Sequence, residues 1–141
     1  MLTVEDVMTR RPTAVLESAP LRAAAATMRE LDVRHLPVLT ADHELAGMLS
    51  DRDLGGLPPE GIDPEELTPA QRHALEVKVA AVMSTDVKSV TADQPLLEAI
   101  ELLIEHRIGA IPVLSLEGRV VGILSYVDVL RAYARDLVES E

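Results

Sequence analysis

Two seven-residue stretches decide the fold: Gly47-Met48-Leu49-Ser50-Asp51-Arg52-Asp53 and, 75 positions later, Gly122-Ile123-Leu124-Ser125-Tyr126-Val127-Asp128. Both place a glycine, a Leu-Ser pair and an aspartate in one register. The match runs outward without a gap to three further pairs of stretches: Val-Met at 7–8 and 82–83, Pro-Leu at 20–21 and 95–96, and Pro-Val-Leu at 37–39 and 112–114. Chance pairing of abundant aliphatic residues does not align two prolines, a glycine, a serine and an aspartate. The chain is therefore an internal duplication.

Each copy predicts an extended segment followed by a helix. The extended segments cover 13–15 and 88–90, and Ser18 and Asp93 are the expected N-caps, each ahead of a proline in the first turn. Each helix then shows one apolar stripe at helical spacing. The stripe consists of Leu21, Ala24, Ala25, Met28 and Leu31 in the first copy, and of Leu96, Ala99, Ile100 and Leu103 in the second.

Two strands and a second helix complete each copy. The strands are expected at 34–39 and 45–49 in the first copy, and at 109–114 and 120–124 in the second. A proline within the first strand of each pair predicts a strand end or a sheet edge, because proline cannot donate to the ladder. The last helix is expected to begin directly after the serine of each seven-residue stretch. In the second copy it has an apolar side formed by Val127, Leu130, Ala134 and Leu137.

The predicted fold class is α+β, with two β-α-β-β-α repeats packed through their sheets as a pseudo-two-fold pair. One copy of about fifty residues is too small to close a core alone, whereas two copies make one domain. We expect repeat 1 at 1–54, a linker with the start of a connecting helix at 55–76, repeat 2 at 77–135 and an acidic tail at 136–141.

Capping boxes mark the helix that opens each repeat. Thr68 and Gln71 flank a proline and predict a helix running to about Met83. Its counterpart at the N-terminus is short and starts at Thr3, with Asp6 three residues on. The methionines at 8, 28, 48 and 83 are expected to fill the core.

Composition excludes several classes of protein. The 141 residues include no cysteine, which rules out disulfides, thiolate metal sites and cysteine nucleophiles. A net charge of −11 argues against nucleic acid and anionic membranes as partners. The only aromatic residues are two tyrosines, so a planar ligand would be held by aliphatic side chains and backbone. No apolar run reaches the ~18 residues of a membrane span and the N-terminus lacks a signal-peptide layout, so we expect a cytoplasmic protein.

The paired stretches, together with the Val-Met starts and the Pro-Val-Leu strands, resemble the CBS domain, named after cystathionine beta-synthase. Two tandem copies form a Bateman module, and the resemblance covers about 1–54 and 77–135. It implies regulation rather than catalysis. Such pairs bind adenosine-containing ligands (AMP, ADP, ATP, S-adenosylmethionine, sometimes NAD-like molecules) in a cleft between the copies, and they commonly dimerise into a flat disc. We therefore expect an adenosine ligand without an obligatory cofactor, and a homodimer.

The Ser-x-x-Asp spacing permits two compatible interpretations. Ser50 and Ser125 can cap the helices that follow them, with Asp53 and Asp128 completing capping boxes and favouring the positive helix end. The same carboxylates can accept hydrogen bonds from the 2′- and 3′-hydroxyls of a ribose, while a helix N-terminus with a serine hydroxyl suits a phosphate. A capped helix end is a preformed ligand platform.

The two copies differ in charge beside this motif. Arg34 and His35 precede the strand proline of the first copy, where related nucleotide-binding pairs often carry basic residues, and Arg52 lies between the serine and the aspartate. The resemblance implies that Lys88 completes the Asp53 pocket. For the Asp128 pocket it implies Thr13, and Ile111 is expected as a further ligand-binding residue. Because Gly109 and Ala110 replace the basic pair, we expect unequal pockets, with phosphate at Asp53.

Three functions compete. The first is a stand-alone adenine-nucleotide sensor that acts on a separate, unidentified effector protein. The second is a ligand-free structural dimer, although such a scaffold need not keep both Ser-Asp pairs. An enzyme is the weakest, because the side chains of Asp51 and Asp53 would point apart at a helix start. The histidines lack ligand spacing, so no metal site is expected. The homodimer prediction rests on helix faces expected to be only partly covered, namely Leu21, Ala25 and Met28, and Leu96, Ile100 and Leu103.

Overall fold

The computed structural model describes residues 1–140 as five α-helices, seven strands and three short 3-10 helices. The helices are α1 (Val4–Val7), α2 (Leu21–Leu31), α3 (Pro69–Glu76), α4 (Leu96–His106) and α5 (Tyr126–Glu139). The strands are β1 (Thr9–Arg10), β2 (Val15–Leu16), β3 (His35–Leu39), β4 (Leu45–Ser50), β5 (Val90–Thr91), β6 (Ala110–Leu114) and β7 (Val120–Ser125). The 3-10 helices cover Asp51–Leu54, Pro64–Glu66 and Val79–Ala81.

The chain divides into two compact units. The repeat-1 unit is Ala14–Thr85, and its sheet has the order β2-β3-β4, with β2 parallel to β3 and β3 antiparallel to β4. One face of α2 packs on this sheet, which forms a core of seven buried residues: Leu21, Ala24, Met28, Leu36, Val38, Leu49 and Val79. Leu36 and Val38 alternate along β3, and Leu21, Ala24 and Met28 recur at helical spacing along α2, as the apolar pattern predicts, while Val79 comes from the 3-10 helix Val79–Ala81.

The repeat-2 unit comprises Met1–Thr13 and the chain from Asp86 onward. Its sheet has the order β1-β7-β6-β5, and its buried core contains Val4, Val90, Leu96, Ala99, Leu103, Ile111, Val113 and Leu124. The β6–β7 register repeats that of β3–β4 residue for residue, including the irregularity after Val38 and Val113. The α+β class with two copies of one repeat is therefore confirmed, with a 3-10 helix in place of the last α-helix in the first copy.

The leading segment of each copy folds with the other copy. Val4 is fully buried in the repeat-2 core, and Val79 is fully buried in the repeat-1 core. A Cβ added at Gly47 would lie 2.5 Å from the Ser84 carbonyl oxygen, so only glycine lets this segment approach β4. The glycine that opens each seven-residue stretch is thus explained by the segment that crosses it. Because each leading segment belongs to the other copy's unit, the compact units are not the contiguous stretches 1–54 and 77–135 that were expected as repeats.

The predicted N-caps are wrong, because the leading segment of each copy packs at the start of the other copy's first long helix. Pro20 and Pro95, not Ser18 and Asp93, occupy the N-cap positions of α2 and α4. The Leu21 N–H donates to the Val77 carbonyl at 2.8 Å, and the Leu96 N–H donates to the Leu2 carbonyl at 2.9 Å. Because the leading segments satisfy these donors through backbone atoms, no capping side chain is needed there.

The strand prolines also lie where the sequence did not place them. Pro37 is in the middle of β3, which is the central strand of its sheet, rather than at a strand end or edge. Its partner across the ladder, Met48, exchanges both backbone hydrogen bonds with Ser84, at 3.0 and 2.9 Å. The N–H and C=O of Met48 therefore point away from Pro37, and the missing donor breaks no β3–β4 bond.

Two predicted helices are shorter than expected. Thr68 caps α3 as predicted, accepting from the Gln71 N–H at 3.1 Å. The helix nevertheless ends at Glu76 rather than near Met83, because Val77 is extended and its carbonyl accepts from α2. After Ser50 the chain makes only the four-residue 3-10 helix Asp51–Leu54, which Gly55 ends. The N-terminal capping box of Thr3 and Asp6 is present as predicted.

The C-terminal helix extends beyond its predicted end. Residues 136–139, assigned above to an acidic tail, belong to α5. Residue 141 lies outside the described residues. No helix within residues 1–140 is long and apolar enough to cross a membrane.

The apolar helix faces expected to favour dimerisation are covered within the chain. Leu21, Ala25, Met28, Leu96 and Leu103 are buried, so the prediction that these faces are only partly covered is wrong for them. The faces pack on the sheet of their own unit. Leu31, by contrast, was expected in the stripe but is 48% exposed. Of the four methionines expected in the core, Met28 is buried and the other three are half-buried.

Candidate ligand site

The first motif forms a capping box at the end of β4. The Ser50 N–H donates to Asp53 Oδ2 at 2.8 Å, and the Ser50 hydroxyl donates to the same oxygen at 3.3 Å. Asp53 is half-buried, and within residues 1–140 its Oδ1 has no hydrogen-bond partner. One oxygen of this carboxylate is therefore committed to the chain, whereas the other accepts no hydrogen bond from the described residues.

The second motif repeats the capping box at the start of α5. The Ser125 N–H and hydroxyl donate to Asp128 Oδ2 at 2.9 and 3.1 Å, and the Asp128 N–H donates to the Ser125 hydroxyl at 3.2 Å. The capping interpretation is confirmed in both copies. In this copy a third side chain takes part, because the Thr9 hydroxyl donates to Asp128 Oδ1 at 3.0 Å.

Sequence reasoning missed Thr9. It named Thr13 as the partner of Asp128; both residues belong to the repeat-2 unit, and Thr13 is exposed. The signal that could have found Thr9 is the β1–β7 pairing, which aligns Thr9 with Ile123. A two-residue strand is too short to be predicted from its sequence, so this pairing was not visible in advance.

Charges of both signs meet beside Asp53. Arg34 lies directly before β3, its carbonyl accepts from the Asp51 N–H at 2.9 Å, and its guanidinium Nη1 is 3.9 Å from Asp51 Oδ2. The two side chains are 74% and 49% exposed, so this is a weak surface ion pair. Arg52 is exposed beside them. The structure brings Arg34, His35, Ser50, Arg52 and Asp53 together in the repeat-1 unit.

His35 is the one half-buried titratable base of this group. It pairs with Ser50 across the β3–β4 ladder. Burial lowers its pKa below the ordinary value of 6.5, an effect that Asp51 and Asp53 oppose and that Arg52 and Arg34 reinforce. The neutral imidazole is therefore favoured at pH 7, and either a fall in pH or a further negative charge nearby favours the cation.

The remaining predicted residues are in the repeat-2 unit. Lys88 is half-buried there, whereas Asp53 belongs to the repeat-1 unit. The side chain of Ile111 is fully buried in the repeat-2 core, which leaves only its backbone for a ligand. Ser125 and Asp128 lie together, with Gly109 and Ala110 where the first copy has its basic pair. No group of three His, Asp or Glu side chains among residues 1–140 is arranged to hold a metal ion.

A family model and several known proteins match this chain. The CBS domain model matches residues 4–54 and 79–135. Hypoxic response protein 1 of Mycobacterium tuberculosis is 35% identical over 93% of this chain and 85% of its own length.

Solved structures show the same fold. The acetoin utilization protein AcuB of Vibrio cholerae is 34% identical, with a TM-score of 0.79 over 99% of this chain and 94% of its own. CBSX2, solved in complex with AMP, is 29% identical, with a TM-score of 0.77 over 96% and 98% of the two chains.

Proposed function

This chain belongs to the CBS domain family, and from that premise we propose that it is a regulatory module that binds an adenosine nucleotide at Asp53 and has no catalytic activity of its own. The observation that carries the proposal is the Asp53 carboxylate. One of its oxygens is fixed by Ser50, while Oδ1 faces no partner within residues 1–140. A carboxylate oxygen held in this way accepts the hydroxyls of a ribose without having to break an intrachain bond.

The ligand class is supported by a relative. CBSX2 was solved with AMP and shares 29% of its residues with this chain. An adenosine nucleotide combines a vicinal diol, which suits the Asp53 carboxylate, with a phosphate that suits cations. The proposed ligand is AMP, ADP or ATP. S-adenosylmethionine is a further candidate, which carries a cationic group where the nucleotides carry phosphate.

We place the phosphate at the Asp53 site, because the cations there attract it more strongly than the helix N-terminus at the Asp128 site. Arg34, Arg52 and a protonated His35 are the cations of this group, and hydrogen bonds to charged groups contribute about 1.5–3 kcal/mol each. The Asp128 site has the N-terminus of the α-helix α5, whereas the corresponding position of the first copy has only a 3-10 turn. A helix end favours an anion by about 0.3–1 kcal/mol. Cations therefore outweigh the helix end. Lys88 and Thr13 remain predicted contributors to the two pockets.

A ligand-free structural module remains the second candidate, favoured by one observation. Both Ser-Asp pairs cap the chain that follows them, so a scaffold without ligand has its own reason to keep them. Their presence alone does not discriminate between the two functions. The open Oδ1 of Asp53 and the basic residues beside it are what favour the sensor.

We also propose a homodimer, through a surface other than the one predicted. None of the described residues of the 14-residue helix α5 is buried, although helices of this length depend on packing for stability. Tyr126, Leu130, Tyr133 and Leu137 follow one another at spacings of four, three and four residues, which puts them on one stripe of α5. All four are exposed large hydrophobic residues. Such a self-complementary stripe suits a second copy of this chain.

Comparison of the two copies supports this surface. On α4, which contacts α5, Leu97 is 63% and Ile104 is 71% exposed. The matching positions on α2 are Arg22 and Arg29, which form ion pairs with Glu76 and Glu60 at 2.8 and 3.1 Å. The segment between the repeats thus supplies an acidic partner to each arginine of the first copy, whereas the second copy has exposed apolar side chains at the same two positions. The regulated effector is proposed to be a separate protein.

A thermal-shift screen tests the function. Saturation at about a hundred times the dissociation constant adds roughly 2.7 kcal/mol of stability when only the folded chain binds. We expect AMP, ADP or ATP to raise the melting temperature of the wild type, and Asp53→Ala to abolish the rise. Asp128→Ala is the control at the second motif, because it removes the corresponding capping carboxylate together with its Thr9 hydrogen bond. No rise with these nucleotides, S-adenosylmethionine or NAD would favour the structural module.

A further inference from the structure

We propose that Thr9 determines which of the two motifs accepts a ribose diol, by occupying the ligand-facing oxygen of Asp128. The inference rests on the proposed function, because it concerns the same carboxylates. A carboxylate has two oxygens and about four acceptor positions. Asp128 Oδ2 already accepts from the Ser125 N–H and hydroxyl, and Oδ1 accepts from Thr9. One acceptor position is left.

Asp53 retains one more position. Its Oδ2 accepts from the Ser50 N–H and hydroxyl, and within residues 1–140 nothing donates to its Oδ1. Two hydroxyls of a vicinal diol can therefore bind Asp53 at once. At Asp128 a diol gains its second hydrogen bond only if the Thr9 hydroxyl turns away.

The difference comes from one position of the duplication. The first copy aligns Thr9 with Ser84 in the second. Both residues lie on leading segments that pair with the strand before the motif, Thr9 with Ile123 of β7 and Ser84 with Met48 of β4. The Thr9 hydroxyl reaches its aspartate, whereas no hydrogen bond joins the Ser84 side chain to Asp53 in the described chain.

The backbone holds Thr9 in place. Arg11 N–H donates to the Val121 carbonyl at 3.2 Å, on the same β1–β7 ladder. Met8 packs so closely that a Cβ on Gly122 would lie 2.5 Å from its sulfur. Rotation of the Thr9 side chain, rather than movement of β1, is consequently the change that would free Asp128. Occupation of Asp128 by a diol is thereby opposed by an intrachain hydrogen bond, and the chain has one favourable diol site.

Calorimetric titration with AMP tests this in a background that silences the first site. Asp53→Asn removes that carboxylate, so residual binding reports the Asp128 site. Adding Thr9→Val is expected to tighten AMP about five- to tenfold, the equivalent of one hydrogen bond. Ser84→Ala in the same background is the matched control and leaves the affinity unchanged. The gain is absent with 2′-deoxy-AMP, which has no vicinal diol.

Three results overturn the inference: no gain from Thr9→Val, a loss of AMP affinity, which would make Thr9 a ligand contact, or an equal gain with 2′-deoxy-AMP. A second measurement separates failure of the inference from failure of the proposed function. In ligand-free protein, urea unfolding of Thr9→Val, Asp128→Ala and the double variant gives their coupling. If the two substitutions change the free energy of unfolding additively, Thr9 and Asp128 do not interact, and the role of Thr9 is overturned whether or not AMP binds. If the effects are coupled but AMP binds neither the variants nor the wild type, the proposed nucleotide function is overturned. The proposed selection of the diol is then overturned as well.

Discussion

Asp51→Asn is expected to tighten AMP binding, although it removes a residue from the candidate site. In the free chain Asp51 lies 3.9 Å from the Arg34 guanidinium and competes with a phosphate for it. Exposed ion pairs of this kind are worth about 0.2–1 kcal/mol. Releasing Arg34 from the pair, and removing a negative charge near the phosphate, should therefore improve affinity about two- to fivefold.

The assay is calorimetric titration of AMP and of adenosine at low and high salt. Adenosine has no phosphate, so its affinity should not change. The gain for AMP should shrink at 1 M salt, where the Debye length falls to about 3 Å. Glu117→Gln, which removes one exposed charge in the repeat-2 unit, controls for the net charge. Weaker AMP binding in Asp51→Asn, or an equal gain in Glu117→Gln, would refute the assignment of Arg34 to the phosphate.

Three further predictions concern packing, assembly and pH. Gly47→Ala should lower the free energy of unfolding in urea by about 1–3 kcal/mol, because its Cβ would lie 2.5 Å from a backbone oxygen. Gly56→Ala is the control and should cost almost nothing, since its Cβ meets no atom within 4 Å. Equal losses would contradict the close approach of the leading segment. Leu130→Glu should give a monomeric mass by light scattering, while Arg135→Gln, on the opposite side of α5, should stay dimeric; a wild-type monomer at micromolar concentration rules out the dimer. Burial lowers the pKa of His35 below 6.5, so the stability that its neutral form contributes is complete above pH 6.5 and is lost as the pH falls toward the folded-state pKa. Melting temperatures of the wild type should therefore fall more between pH 7.5 and 5 than those of His35→Gln, and parallel curves would contradict this.

The duplication made most of the fold predictable. The element order, the buried stripes of α2 and α4 and the two capping boxes follow from local patterns, which repeat in both copies and so check each other. Long-range pairing was out of reach. Pro37 looked like an edge residue because the sequence does not show that Met48 bonds to Ser84 instead. Ser18 and Asp93 looked like caps because nothing local shows that Val77 and Leu2 supply the acceptors.

The arrangement of residues around the two motifs was predictable to the same extent, while their role toward a ligand stays a prediction. Ser50 and Asp53 follow from their spacing, and Arg34 and His35 from their place before Pro37. The roles of Asp51 and Thr9 did not follow. Each acts on a neighbour across the chain, Asp51 on Arg34 and Thr9 on Asp128, and these contacts exist only once the strands have paired.

The most direct test of the proposed nucleotide site at Asp53 is calorimetric titration of AMP into the wild type, Asp53→Ala and Asp128→Ala. Both variants lose a capping carboxylate, and Asp128→Ala also loses the Thr9 hydrogen bond, so AMP binding that Asp128→Ala keeps and Asp53→Ala loses reports the ligand site rather than a general loss of fold. We predict one strong AMP site per chain that survives Asp128→Ala and disappears in Asp53→Ala. A strong site that survives Asp53→Ala and is lost in Asp128→Ala, or no binding to the wild type, would contradict the account.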